Sequence, residues 1–162
     1  MRVLLDFDGV LYHNPIIHGR IRHKTVQFLQ MKTNLNYKDA FYLNNKEYPQ
    51  KGHSALIIDD DKQTIHDYNE FVFTQTLFND IYKERTIEDM KRIHELYKLN
   101  MNEHMDLVLC TNAPLSYCEH VLESSGFTLD MLFSTNHIYT SDSLHAVKPT
   151  NKYYSHHYLN SN

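Results

Sequence analysis

The opening stretch constrains the fold more than any other part of this chain. Val3-Leu4-Leu5-Asp6-Phe7-Asp8-Gly9-Val10-Leu11-Tyr12 is an apolar run that ends in two carboxylates and a glycine. Its composition predicts a first strand over residues 2–8. Alternate residues of a strand point to the same side, which sets Asp6 and Asp8 together and sends Phe7 the opposite way. Two carboxylates that close repel unless a cation or proton lies between them, and Gly9 allows a sharp turn and close approach of a ligand to the backbone. The pattern points to a Mg2+ or phosphate site at a strand tip. The plainer alternative is that the two acids open a loop, but acids ending a buried-looking strand are costly without a partner.

With 162 residues the chain is long enough to bury a core in one domain. Acids and bases are interspersed and the formal net charge is -4, so no broad basic surface is offered to nucleic acid. The local exception is His18-Gly19-Arg20-Ile21-Arg22-His23-Lys24, either the solvated start of a helix or a contact surface for an anionic substrate or partner. The two cysteines, Cys110 and Cys118, fit reduced thiols in a cytoplasmic compartment rather than a disulfide framework. The N-terminal run is short and acidic, unlike a signal peptide, and no segment is expected to span a membrane. The twelve histidines lack the paired spacing of zinc ligands: His13, His18 and His23 recur every five residues and His156-His157 are adjacent.

Further along, Val26, Phe28, Leu29 and Met31 fit a helix over 21–35. Asn36 is placed to cap another over 37–45, with Pro49 and Gly52 as punctuation. Ala55-Leu56-Ile57-Ile58 leads into Asp59-Asp60-Asp61, an acidic metal site if the run is a strand and a solvated turn otherwise. Residues 64–77 predict a short helix plus a connection. Residues 86–99 form the clearest helix: Thr86 and Asp89 resemble a capping box, and Ile87, Met90, Ile93, Leu96 and Tyr97 share a face. Residues 106–111 read as a buried parallel strand, 115–125 as a helix stopped by Gly126, 137–140 as a third strand, and 151–158 as a last helix. Strands alternating with helices predict a parallel α/β sheet.

Three pieces stand in chain order at expected strand ends: Asp6-Phe7-Asp8-Gly9-Val10-Leu11, Leu109-Cys110-Thr111-Asn112, and Lys148-Pro149. Together they resemble the haloacid dehalogenase superfamily of phosphotransferases, whose motifs are D-x-D-x-[TV]-L, a strand-terminal Thr or Ser, and a Lys. Ile65-His66-Asp67-Tyr68-Asn69-Glu70-Phe71-Val72, Cys110-Thr111-Asn112-Ala113 and Asp142-Ser143-Leu144-His145-Ala146-Val147-Lys148-Pro149 resemble its pyrimidine 5'-nucleotidase branch. The resemblance implies a Rossmann-like parallel sheet in a core of residues 1–13 and 86–162, with a small helical cap, residues 14–85, inserted after strand one.

It also implies a reaction. Asp6 would be the nucleophile that forms an aspartyl-phosphate, and Asp8 the general acid and base. Mg2+ would rest on the Asp6 carboxylate and the Asp8 carbonyl. Thr111 and the Asn112 amide would donate to the phosphoryl group, and Lys148 would neutralise its charge. The substrate would be a small phosphorylated metabolite, a nucleoside monophosphate or similar phosphomonoester, with Tyr37, Phe41 or Tyr68 either stacking a base or packing. Plainer roles stand beside these: Thr111 as a helix cap, Lys148 as a loop residue, Cys110 as a small buried hydrophobe.

The chain departs from the family where a fourth motif, two acids on a further strand, would complete the metal site; no Asp or Glu follows Lys148. Such a chain is a truncated or split phosphatase, or a protein using Asp142 or the triple Asp instead, or an interaction module without catalysis. The missing strand would leave an edge of strand one open to a partner chain or a second copy.

Overall fold

The computed structural model describes residues 2–144 and 147–148. Pro149 and the helix expected over 151–158 lie outside the described residues. The fold is mixed α/β and mostly helical around a small parallel sheet. Strands β1 (Arg2–Leu5), β2 (Asp106–Cys110) and β3 (Ile138–Tyr139) lie in the order β1-β2-β3. Arg2 pairs with Asp106 and Leu5 with Leu109, while Cys110 pairs with Tyr139. β2 is the central strand, which explains its unbroken apolar stretch Leu107-Val108-Leu109. β1 alternates instead, with Val3 and Leu5 packed on the core and Leu4 turned out. At the amino ends, Asp106 holds Arg2 and His137, each at 2.7 Å, and the Arg2 hydrogen bond keeps the Asp106 carboxyl below its ordinary range.

The first strand stops at Leu5, three residues before the expected end at Asp8. The cause is local: the Phe7 carbonyl accepts from the amides of Leu11 (2.9 Å) and Tyr12 (3.0 Å), closing residues 7–12 into a loop with Gly9 at φ 78°. Phe7 itself is fully buried, on the opposite course from Asp6 and Asp8.

Helix α1 (Pro15–Thr33) begins six residues before the periodic apolar stretch, because Asn14 caps the Ile16 and Ile17 amides and Pro15 occupies the first helical position. Helix α2 (Tyr37–Lys51) starts as expected under the Asn36 cap, passes through Pro49 and ends at Gly52, φ 74°. Ser54–Ile57 form a single 3-10 turn rather than a strand, and Asp59, Asp60 and Asp61 are an exposed turn in which Asp61 caps helix α3 (Lys62–Val72). A second helix, α4 (Gln75–Glu84), follows where a connection was expected.

Helix α5 (Ile87–Glu103) carries the Thr86/Asp89 capping box. Asp89 is buried and also accepts from Asn14 Nδ2 at 3.2 Å, so one carboxylate joins the starts of α1 and α5. Ile93 is buried on the expected face, but Ile87 at the first position points to solvent. Helices α6 (Leu115–Ser124), α7 (Leu129–Leu132) and α8 (Ser141–Leu144) complete the order.

The main core gathers Phe7, Tyr12, Ile93, Leu107, Leu109 and Tyr117, and takes Leu77, Phe78 and Ile81 from α4. A second cluster, with Phe28, Leu56, Ile65, Tyr68 and Val147, lies between α1, the 3-10 turn and α3. The gap between these two packing centres sits above the carboxyl ends of β1 and β2. Among the described residues no helix is long and apolar enough to cross a membrane.

Candidate functional site

Parallel strands deliver their carboxyl ends to one edge of a sheet, where ligands of open α/β sheets bind. Here that edge holds Asp6 and Asp8 after β1, Thr111 and Asn112 after β2, and Lys148 beyond β3. The Lys148 ammonium lies 2.7 Å from Asp6 Oδ2 and donates to the Cys110 carbonyl at 2.9 Å. Asp6 Oδ1 accepts from the Phe7 amide at 2.8 Å. Segments some 140 residues apart in sequence therefore meet through one ion pair of residues 6 and 148. It is partly open to water, with side-chain exposures of 20% for Lys148 and 44% for Asp6, so solvent screens much of its attraction.

Asp8 is held differently. Its Oδ1 accepts from Tyr117 Oη at 2.9 Å and lies 3.1 Å from His18 Nε2. Burial, reinforced by the Asp8 charge, pushes the Tyr117 phenol well above its ordinary range, so that group stays protonated and donates. Tyr48 of α2 is also raised, first by burial and then by the fields of Asp8 and Asp6. Neither the Asp8 nor the Asn112 backbone N–H has an acceptor among the described residues.

Asn112 works as a clamp. Its Oδ1 accepts the Lys148 amide at 2.6 Å, and its Nδ2 donates to the carbonyls of Lys148 and Gly52, both at 3.1 Å. One amide thus fixes the lysine segment to the end of β2 and to the end of α2. Thr111 is 1% exposed, and its hydroxyl accepts the Ala113 amide at 3.1 Å in a turn ahead of α6; it is not the cap of that helix, whose N-cap is Pro114.

Over Asp8, Gly9 and Asn112 lies a cavity of about 520 Å³, within the range of ligand pockets. His18, Ile21, Arg22 and Thr25 line it from one face of α1, Asn44 and Tyr48 from α2, His53 and Ser54 from the start of the 3-10 turn, and Tyr68 and Phe73 from α3 and its C-terminal end. The basic run at residues 18–24 lies on helix α1, and its His18 and Arg22 line the cavity. Tyr68 lines it, whereas Tyr37 and Phe41 lie outside, stacked on each other at 6.5 Å.

His18, Tyr117, Asn44 and His53 were not among the sequence-derived site residues. The first had a usable signal, since positions 18, 21, 22 and 25 share one helical face. The others had none: contacts such as Tyr117 to Asp8 span 109 positions.

Among the described residues no three His, Cys, Asp or Glu side chains converge to hold a metal ion. Asp6 and Asp8 form an all-oxygen donor pair, which fits Mg2+, an ion that keeps several waters and takes only one or two carboxylates alongside phosphate oxygens. No family model matches the chain, and neither a curated protein nor a solved structure does.

Proposed function

We propose that this chain is a phosphomonoester hydrolase with the core of the haloacid dehalogenase superfamily, nearest its pyrimidine 5'-nucleotidase branch. Residues 1–13 and 86–162 would be the Rossmann-like core and residues 14–85 the cap. The observation that carries the reading is the meeting of Asp6 with Lys148, beside Asp8, at the carboxyl edge of a parallel sheet.

In this reading the Asp6 carboxylate attacks phosphorus while the bond to the ester oxygen breaks, and Asp8 gives that oxygen a proton. Water then attacks the aspartyl-phosphate, Asp8 takes its proton back, and phosphate leaves. Lys148 neutralises phosphoryl charge, and the unpaired amides of Asp8 and Asn112 are donors for its oxygens. The Thr111 hydroxyl, which accepts the Ala113 amide, would add a third donor through its proton. Mg2+, held by Asp6 and the Asp8 carbonyl, would supply further charge stabilisation, weakly bound for want of a third acid. The substrate is a small phosphorylated metabolite such as a nucleoside monophosphate, not nucleic acid or a membrane, and Cys110 and Cys118, neither of them in a disulfide among the described residues, suit a cytoplasmic setting.

The test is phosphate release from a panel of monoesters with and without added Mg2+. Slow, Mg2+-dependent turnover that Asp6→Asn abolishes is expected. Absence of turnover on every ester at millimolar Mg2+ would overturn the proposal, and saturation of the rate at micromolar Mg2+ would overturn the expectation of weak metal binding.

One observation favours a second reading, an interaction protein that has lost catalysis. Among the described residues β1 pairs only with β2, and its Leu4 is 58% exposed. A partner chain or second copy adding a strand to that edge would cover it. Light scattering after size exclusion distinguishes the readings, since a monodisperse monomer argues against a second copy.

A further inference from the structure

The cavity above Asp8 and Asn112 contains chemistry that the carboxylates and the lysine do not use. Its inner wall includes His53, Asn44 and Tyr68, at 6%, 8% and 5% exposure. His53 Nδ1 accepts the Ala55 amide at 3.1 Å, so the ring proton sits on Nε2 and the imidazole is a neutral donor. Its ring stands edge-on to Tyr68, centroids 4.8 Å apart. Burial lowers the His53 pKa to about 4, in keeping with the neutral form.

Asn44 Oδ1 is occupied by the Ser54 hydroxyl at 2.8 Å, which leaves its NH2 as the second donor. Neither His53 Nε2 nor Asn44 Nδ2 has a protein partner among the described residues. Both residues line the cavity, and neither atom is among the sealed, unpaired polar atoms of the described interior. Thr25 and Tyr68 hydroxyls satisfy each other at 2.8 Å. The charged side chains of the lining, Asp8 and Arg22, are both exposed, whereas His53 and Asn44 are buried.

We propose that this cavity is the leaving-group site of the hydrolase, and that His53 and Asn44 are its specificity-determining residues, selecting an uncharged group that bears hydrogen-bond acceptors such as ring carbonyls. The inference rests on the hydrolase reading for the word leaving-group, but not for the binding chemistry. An apolar group would strand two buried donors, and a site built to hydrogen-bond its ligand strongly rejects analogues that cannot reply. A carboxylate or phosphate seated against these two donors would be buried with neutral partners alone.

The test compares uridine 5'-monophosphate, whose ring carries carbonyls, with phenyl phosphate, whose ring has no acceptor. The kcat/KM ratio of the two esters is measured with Mg2+ for the wild type, His53→Asn and Asn44→Leu, each checked for folding by circular dichroism. Asn keeps an acceptor for the Ala55 amide but lacks the reach of Nε2. The wild type is expected to favour the uridine ester at least about tenfold, and each variant to lose about tenfold of that preference. A ratio that does not move in either folded variant overturns the proposal.

A second arm needs no turnover: saturation-transfer NMR with uridine alone should show binding to the wild type that His53→Asn loses. Absence of uridine binding to the folded wild type overturns the inference. Uridine bound specifically, with neither ester hydrolysed, overturns the hydrolase reading and leaves the neutral-ligand site standing.

Discussion

His53 makes the fold sensitive to acid in a window that can be calculated. The imidazole is buried beside Ala55 and Tyr68 at the cavity wall, and removal from water lowers its pKa from 6.5 to about 4. Protonation is thus harder in the folded chain than in the unfolded one, so the unfolded state binds the extra proton between those values. Stability from this group is complete above pH 6.5 and drains away as pH falls towards 4. At about 1.4 kcal/mol per tenfold in proton affinity the whole effect is about 3 kcal/mol, of which about 2 kcal/mol is lost between pH 7 and pH 5. For a chain of this length that lowers Tm by roughly 4–8 °C. The assay is urea unfolding followed by far-UV circular dichroism at both pH values, for the wild type and His53→Asn. The variant removes the titrating group while keeping an acceptor for the Ala55 amide. Its stability at pH 7 falls, yet its loss on going to pH 5 is smaller than the wild type's by about 2 kcal/mol. Because eleven other histidines are common to both proteins, an identical pH dependence in the two would refute the assignment to His53.

Other perturbations follow from the same contacts. Asn112→Ala removes three hydrogen bonds that pin Lys148 and Gly52, and is expected to cost about 2–3 kcal/mol in urea unfolding. It should also cut turnover by loosening the lysine opposite Asp6. Asp89→Ala removes a buried carboxylate serving Thr86 and Asn14 at once, and should destabilise by about 2–4 kcal/mol, read by thermal unfolding. His18→Gln keeps a donor near Asp8 but loses the imidazole edge against Tyr12, whose centroid is 5.8 Å away. Stability should change by under about 1 kcal/mol while kcat falls several-fold, with KM for a small ester nearly constant.

Much of the scaffold was legible because its signals are local. The Asn36 cap, the Thr86/Asp89 box, the apolar stretch of β2 and the Gly126 stop act within a few residues of themselves. The errors were also local, and each has a cause. Apolar spacing alone places the start of α1 at residue 21, whereas the Asn14 cap and the pre-set φ of Pro15 outrank periodicity in fixing where a helix begins. The apolar run before the triple Asp coils into a 3-10 turn because His53 caps it and its side chains fill the space under Tyr68. The α3/α4 break at Phe73 carries neither Gly nor Pro and had no local mark.

The site divides along the same line. Asp6 and Asp8 are conspicuous because adjacent acids at the end of an apolar run demand compensation, but what compensates them is decided at long range. Asp6 receives a cation from residue 148, and Asp8 receives donors from residues 18 and 117. The two carboxylates are thus distinguished by their partners, a formal positive charge for one and a phenol with an imidazole for the other. That asymmetry is what a two-carboxylate mechanism needs, because a nucleophile and a proton carrier cannot share one environment. It also explains why Asn112 matters more than its chemistry suggests: by tying Lys148 and the end of α2 to β2, it sets the cation on Asp6 and fixes the floor beneath the Asn44 and His53 donors in one step.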